Sequence, residues 1–401
     1  MSKQIAIIGG GPAGLMAADV LSSQYQVHLF EMGKTIGRKF LVAGKGGFNL
    51  TNHLSGAALQ AKYHPIGFLN TALSELDAPD LRNWLSALGI PTYVGSSGRI
   101  FPQRGIKPAE VLKAIRLRLE KRGVQFHFHH QFVGFDQEFR PFIQNAKETF
   151  VPQTAYYLLA LGGASWAKTG SDGQWRTHFE QIGVPTHDFA PSNCGVNINW
   201  PAHIKTHHLG KPLKNIQLFC GEQHQKGEAL ISEYGLEGNA IYPIIPAIRD
   251  ALAKGAPVSI HLDLKPNNDL PSLLQKVAKQ TANSKTYAKA LNLNGQEMAL
   301  LKAFCSKADF QEPSRFVHLV KKLPLPVLSL RPLDEAISTI GGIPCSELNT
   351  DFSLKKHPHL YCIGEMVDWD TPTGGFLLQG CMAMGYSAGK AILAKQPLPP
   401  N

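Results

Sequence analysis

Three glycines and one acid near the N-terminus carry the first chemistry. Gly9-x-Gly11-x-x-Gly14 follows the apolar run Ile5-Ala6-Ile7-Ile8, and Glu31 closes the next run, Gln26 to Phe30. Alone this spacing is weak, but strand, glycine turn, helix, strand and acid in succession form the setting that a dinucleotide requires. Gly9 permits a tight turn, Gly11 lets the backbone approach a pyrophosphate, and Gly14 lets helix and strand pack closely. Pro12 and Ala13 open the helix, whose free N–H groups and partial positive charge receive the anion. Glu31 suits a ribose hydroxyl pair and repels a 2′-phosphate, which favours FAD or NAD over NADP.

A second constellation separates those two. Gly364-Glu365 ends an apolar run, Asp368 follows, and Gly374-Gly375-Phe376-Leu377-Leu378 opens the last helix. A helix N-terminus there stabilises the negative charge that a flavin ring gains on its N1/C2=O side when reduced. A third group, Gly37-Arg38-Lys39 with Gly44 to Asn52, places basic side chains and close-approach glycines where phosphates and a flavin edge need them; Gly47 and Asn49 are its candidates. A solvated basic loop is the alternative reading of this stretch. Gly162-Gly163 ends a further strand but lacks the spacing of a second dinucleotide motif. No C-x-x-C pair exists among Cys194, Cys220, Cys305, Cys345, Cys362 and Cys381, so a disulfide reductase is disfavoured. NAD(P)H or O2 visiting the flavin transiently remains compatible with this pattern.

These residues need a parallel sheet to hold them, so the fold class expected is α/β. The sequence predicts helices over 13–22, 78–88, 107–122 and 377–394, and strands over 5–8, 26–30, 124–128, 155–161 and 360–363. From about Pro191 the texture changes to short β segments as far as Leu264, then to helices from Pro271 to His318. The domains expected are therefore 1–190 with 331–401, a β-rich insert over 191–265 and a helical insert over 266–330. His127 and His129 share one face of a strand, with no acid or cysteine to complete a metal site, so no metal is expected. Trp166, Trp175 and Trp369 could border a ring-binding cavity, and Trp166 and Trp369, beside glycine loops, are the candidates for the flavin's surroundings. Glu233 and Tyr234 are the candidate acid/base residues.

The 401 residues are 43% hydrophobic and 17% charged, an ordinary globular balance. A formal charge of +10 suits anionic partners without selecting one, and without a dense Lys/Arg block nucleic acid is not expected. Scattered single cysteines, no strong basic n-region before Ile5 and no transmembrane segment point to a cytoplasmic protein.

The segments GGGPAGLMAA, GRKFLVAGKGGFNLTN, GRIFPQ, ALGGASWAKTGSDGQW, GEALISEYGLEGNAIY, AISTIGGI and GEMVDWDTPTGGFLLQGCMAMGYSAG occur in order over nearly the whole chain. Together they resemble the YhiN-like (BaiN-type) bacterial flavoproteins, some of which are known as aminoacetone oxidase family FAD-binding enzymes. The resemblance implies a glutathione-reductase-type (Rossmann-like) FAD domain with inserted β-barrel-like and helical domains. It places Gly9, Gly11, Gly14, Glu31, Arg38, Lys39, the Val124-Gln125-Phe126 strand, Gly162-Gly163, Glu365, Asp368 and Gly374 to Leu378 at FAD. Phe48-Asn49 stands where many relatives carry Arg-Cys-Asn. Ser232-Glu233-Tyr234-Gly235 and Glu237-Gly238-Asn239 also depart from the relatives' pattern, which suits a different substrate.

The function expected is hydride transfer between flavin N5 and a small organic substrate. Amine oxidation with O2 and NAD(P)H-driven C=C reduction are equally open. The rival from another class is a flavin-bearing RNA-binding or redox-sensing protein.

Overall fold

The computed structural model describes residues 3–42, 48–280 and 284–395. The chain divides into two units, Met1–Ala190 with Ile337–Asn401, and Pro191–Ala336.

The first unit starts with strand β1 (Gln4–Ile8), helix α1 (Pro12–Leu21) and strand β2 (Gln26–Glu31). Ile5 to Ile8 are all buried, as befits a strand covered on both faces. Every pairing in its five-stranded sheet is parallel, in the order Leu360–Cys362, Tyr157–Leu159, β1, β2, Gln125–Phe128. The register sets Ile8 beside Leu159 and Leu159 beside Cys362. The turns that follow, with Gly9, Gly162 and Gly364, therefore gather at one end of the sheet. That end, at the carboxyl termini of parallel strands, is where open α/β sheets bind ligands.

The long C-terminal helix, Phe376–Ala394, packs along α1. A Cβ on Gly385 would stand 2.2 Å from the Ala13 carbonyl oxygen, and one on Gly389 would stand 2.9 Å from Val20 Cγ1. Partner numbers rise together along both helices, so the two run parallel. Phe376 precedes Gly385 by nine residues, so the C-terminal helix begins about 13 Å before its contact with the start of α1 at 1.5 Å per residue. The Gln131–Phe135, Pro141–Gln144 and Thr149–Phe150 strands make a small antiparallel sheet.

The second unit centres on a seven-stranded sheet whose pairings are antiparallel. Here the structure differs from the sequence-based division into β-rich and helical inserts. Ile216, Leu218 and Ile260 of the sheet share one core with Leu273, Leu300 and Phe316 of the helices. Strand Leu323–Val327, beyond the helices, also pairs with Val258–Asp263. The helices are thus one cover of a single β core, and the chain leaves this unit at Ala336 rather than at residue 330. Among the described residues no helix is long and apolar enough to cross a membrane.

Gly385→Leu should lower unfolding stability by about 3 kcal/mol, because backbone at Ala13 cannot yield as a side chain does. Urea titration measures this. An unchanged midpoint would remove the contact between the two helices as a constraint.

Candidate functional site

A cavity of about 380 Å³ opens at the glycine-turn end of the parallel sheet. Gly9, Gly11, Pro12, Ala13 and Glu31 line it, as do Arg38, Lys39, Gly162, Gly364 and Glu365. Gly9 has φ +109° and lies against Ala160, where a Cβ would stand 2.2 Å from the carbonyl oxygen. Gly14 sits behind the wall, its hypothetical Cβ 2.1 Å from the Gly9 oxygen. Gly11 differs from both. Its backbone is extended, at φ −80° and ψ 178°, and a Cβ there would meet nothing within 4 Å. Protein packing does not demand that glycine, whereas a ligand lying against the backbone does. Ala13 lines that space, and its N–H, in the first turn of α1, has no helical carbonyl partner.

Glu31 is held at the wall by two backbone donors. The Gly10 N–H donates to Oε2 at 2.9 Å and the Gly33 N–H to Oε1 at 2.7 Å, which leaves further lone pairs for a ligand hydroxyl. Arg38 donates from Nη2 to the Lys168 carbonyl at 2.7 Å, tying down the loop whose Thr169 to Asp172 form another wall. Lys39 Nζ lies 3.2 Å from Glu365 Oε2 and 3.1 Å from the buried Ser165 Oγ. Glu365 Oε1 accepts the Thr339 N–H at 3.0 Å, so this nearly buried carboxylate is fully engaged. Gly163 lies beneath it; a Cβ there would meet Thr339 Oγ1 at 2.2 Å. Cys381 also lines the cavity, and burial first and Glu365 second push its thiol far up. It is thereby an inert wall rather than a nucleophile.

Gly374, Gly375, Phe376, Leu377 and Leu378 lie outside that cavity, at the staggered start of the C-terminal helix. Gly374 and Gly375 have φ +125° and +96°, and a Cβ on Gly375 would stand 2.6 Å from the Thr51 backbone. Thr51 Oγ1 donates to Gln379 Oε1 at 2.8 Å, which draws the Asn49 segment to this helix. Asn49 Nδ2 is buried without a hydrogen-bond partner among the described residues, a donor that a ligand carbonyl would satisfy. Gly47 lies outside the described residues. The open space at Gly11, the anchored Glu31 and the orphaned Asn49 amide all fit an extended dinucleotide such as FAD.

Other expected residues fall elsewhere. Phe126 stacks on Phe128 at 6.0 Å, with the Arg116 guanidinium over both rings, and does not line the cavity. His130, Gln131, Phe132 and Val133 line it instead, because the chain turns at His129, whose φ is +58°. That turn also breaks the pairing of His127 with His129. Asp368 spends Oδ1 on the Gly341 N–H at 2.8 Å and Oδ2 on His187 at 2.6 Å, away from the cavity. Trp369 is buried, donating to the Gly364 carbonyl at 2.9 Å, and Trp166 is 38% exposed. The tryptophan on the cavity wall is Trp175, bonded to the Gly162 carbonyl at 3.0 Å.

In the second unit Tyr234 donates its hydroxyl to the Glu237 carboxylate, and the Arg331 guanidinium stands 4.0 Å over its ring. Glu233, the expected partner, is exposed instead, because the tight turn between the two strands brings the residue three positions on back to the tyrosine. Burial and Glu237 push the Tyr234 phenol well up, and burial takes Tyr242 up to about 12.

His28 Nδ1 and His127 Nε2 are 3.1 Å apart, His127 stacks on Phe30 at 4.7 Å, and His130 meets His127 at 5.6 Å. Burial pushes His28 and His127 below the ordinary imidazole range, and His28 and His130 push His127 further. The folded chain therefore binds these protons less readily than the unfolded one. The stability this contributes is present above the ordinary imidazole range and lost as pH falls through it. Between pH 7 and 5 the wild-type Tm should drop more than that of His127→Phe; parallel Tm curves would clear the cluster.

A family model described as "HI0933-like protein Rossmann domain" matches residues 3–391. The chain is 24% identical to a 3-dehydro-bile acid delta(4,6)-reductase of Clostridium scindens, over 98% of this chain and 100% of that one. It is 22% identical to a ribosomal RNA dihydrouridine synthase of Haemophilus influenzae, over 96% and 97%. A solved 3-ketosteroid-delta4-(5alpha)-dehydrogenase from Rhodococcus jostii overlays with a TM-score of 0.49 at 14% identity, covering 98% of this chain and 97% of that one. The expected family and the α/β Rossmann-type fold agree with the family match. With almost its whole described length matched, the chain belongs to the HI0933-like Rossmann-domain family.

Proposed function

We propose that this chain is an FAD-dependent oxidoreductase working in the reducing direction on a C=C bond conjugated to a carbonyl group. The observation that carries the FAD reading is the pair of parallel helices with staggered N-termini. One opens on the cavity held by Gly11 and Glu31, and the other opens about 13 Å farther along at 1.5 Å per residue. Bound FAD supplies a two-electron carrier that gives or takes hydride at N5.

The chain's own residues do the rest. The first turn of α1 would receive the pyrophosphate, and Glu31 would accept hydrogen bonds from the ribose hydroxyls. Lys39, paired with Glu365, would hold the middle of the ligand. Asn49 Nδ2 and the N–H groups at the start of the C-terminal helix would hold the flavin end. The C=C substrate is favoured because two relatives' names, a delta(4,6)-reductase and a dihydrouridine synthase, share saturation of such a bond. Saturation needs a proton beside the hydride. Tyr234 is the candidate for that role, its hydroxyl held by Glu237 and its ring by Arg331.

Purified protein should be yellow, and its dithionite-reduced form should be reoxidised anaerobically by a cyclic enone. Protein that stays colourless with added FAD, or that is reoxidised only by air, overturns the reading. Glu31→Ala should weaken FAD binding by about 1.5–3 kcal/mol in a dialysis titration. Tyr234→Phe should slow enone reduction roughly 10²- to 10⁴-fold with flavin content intact; an unchanged rate removes Tyr234 from the proton step.

A further inference from the structure

Tyr234 lies in the turn between strands Gln223–Ile231 and Gly235–Glu237, and the second unit holds its phenol from three sides. The hydroxyl donates to Glu237 Oε2, and the Arg331 guanidinium covers the ring at 4.0 Å. Gly195 leaves the room for it. A Cβ there would stand 2.8 Å from Tyr234 Cε2 and 3.2 Å from the hydroxyl oxygen. Arg331 is itself tied down, its main-chain N–H to the Gly195 carbonyl at 3.0 Å and Nη1 to Asn197 Oδ1 at 3.0 Å. Its Nε donates to Glu335 Oε2 at 2.8 Å and its Nη2 to the same carboxylate, so much of the guanidinium charge is spent there.

The groups that act on the Tyr234 phenol are Glu237, Ser232 and Tyr242, with Arg331 above the ring. Glu237 is the one carboxylate in that set, and it also acts on the Tyr242 phenol. Beside an ionised Glu237, a phenol that gives up its proton leaves two anions at hydrogen-bonding distance, which opposes the transfer. Burial first and Glu237 second make Tyr234 a weaker acid than an ordinary phenol. A proton returned along the same hydrogen bond removes both obstacles. Glu237 is half-buried rather than sealed, which leaves solvent as the source of that proton.

We propose that Glu237 is the proton relay of the reduction, taking a proton from solvent and returning it to the Tyr234 oxygen. The inference rests on the reaction proposed above, with Tyr234 as its acid. Hydride from the reduced flavin forms the C–H bond at the carbon β to the carbonyl, and the C=C pair moves to the α-carbon. The Tyr234 O–H bond breaks as the α C–H bond forms. The Glu237 O–H bond breaks as the Tyr234 O–H bond re-forms, and a solvent proton restores Glu237. The substrate gains the two electrons that the flavin loses. Glu237 thus acts through Tyr234 and not on the substrate.

The test uses the full chain loaded with FAD, reduced with one equivalent of dithionite and mixed anaerobically with 2-cyclohexenone. Reoxidation is read from the return of flavin absorbance. Glu237→Gln keeps an oxygen to accept the Tyr234 hydroxyl but cannot carry a proton. Its rate should fall roughly 10²-fold, with flavin content and the half-saturating enone concentration at wild-type values. Glu237→Asp should keep part of the rate. Added formate should restore part of the rate lost in Glu237→Gln and none of that lost in Tyr234→Phe. Glu237→Gln as fast as wild type overturns the relay. So does an equal loss in Glu237→Gln and Glu237→Asp without rescue by formate, the mark of a hydrogen bond that only holds the ring. Wild-type protein that the enone leaves reduced sinks the reaction and the relay together, whereas a fast wild type with an equally fast Glu237→Gln sinks the relay alone.

Discussion

Backbone contact between α1 and the C-terminal helix is the constraint from which the site follows. Gly385 and Gly389 let the second helix settle against Ala13 and Val20 at distances that a side chain would forbid. Two parallel helices held this closely point their positive ends the same way, and their stagger separates those ends along one line. A ligand with an anion at one point and an electron-rich edge at another meets both without either helix moving. The sheet contributes the same logic in its own terms, since Ile8, Leu159 and Cys362 end level and their glycine turns converge.

The polar group beneath the cavity is largely buried. Lys39, Glu365, Ser165 and Thr339 satisfy one another there, so the buried carboxylate is paired rather than orphaned. Such a network is costly to break one partner at a time and therefore keeps its geometry. Cys381 beside it is held as a neutral thiol, so the wall resists oxidation. In the second unit Tyr234 is held between Glu237 and Arg331, which fixes ring and hydroxyl independently.

Much of the first unit was legible because its signals are local. Four apolar residues, a glycine turn and a helix follow each other at β1 and α1, and the helix predicted over 377–394 is observed over 376–394. What escaped depends on backbone conformation or on distant pairing. His129 adopts a left-handed conformation that strand alternation cannot foresee, so the cavity takes His130 to Val133 in place of Phe126. The single core of the second unit was hidden because Val258–Asp263 finds its partner strand more than fifty residues later. Glu237 was passed over for Glu233 because adjacency in sequence is a poor guide across a tight turn.

The interleaved order of the parallel sheet has a consequence for how the protein is made. Strand Tyr157–Leu159 has β1 on one side and Leu360–Cys362 on the other. As the ribosome extrudes the chain, the second unit can collapse on its own core while that sheet edge still waits for its neighbour. Pairings this distant in sequence form slowly, and an uncovered edge is open to association with other chains until they do. The cleft at the glycine turns is therefore completed only after the strand Leu360–Cys362 has emerged.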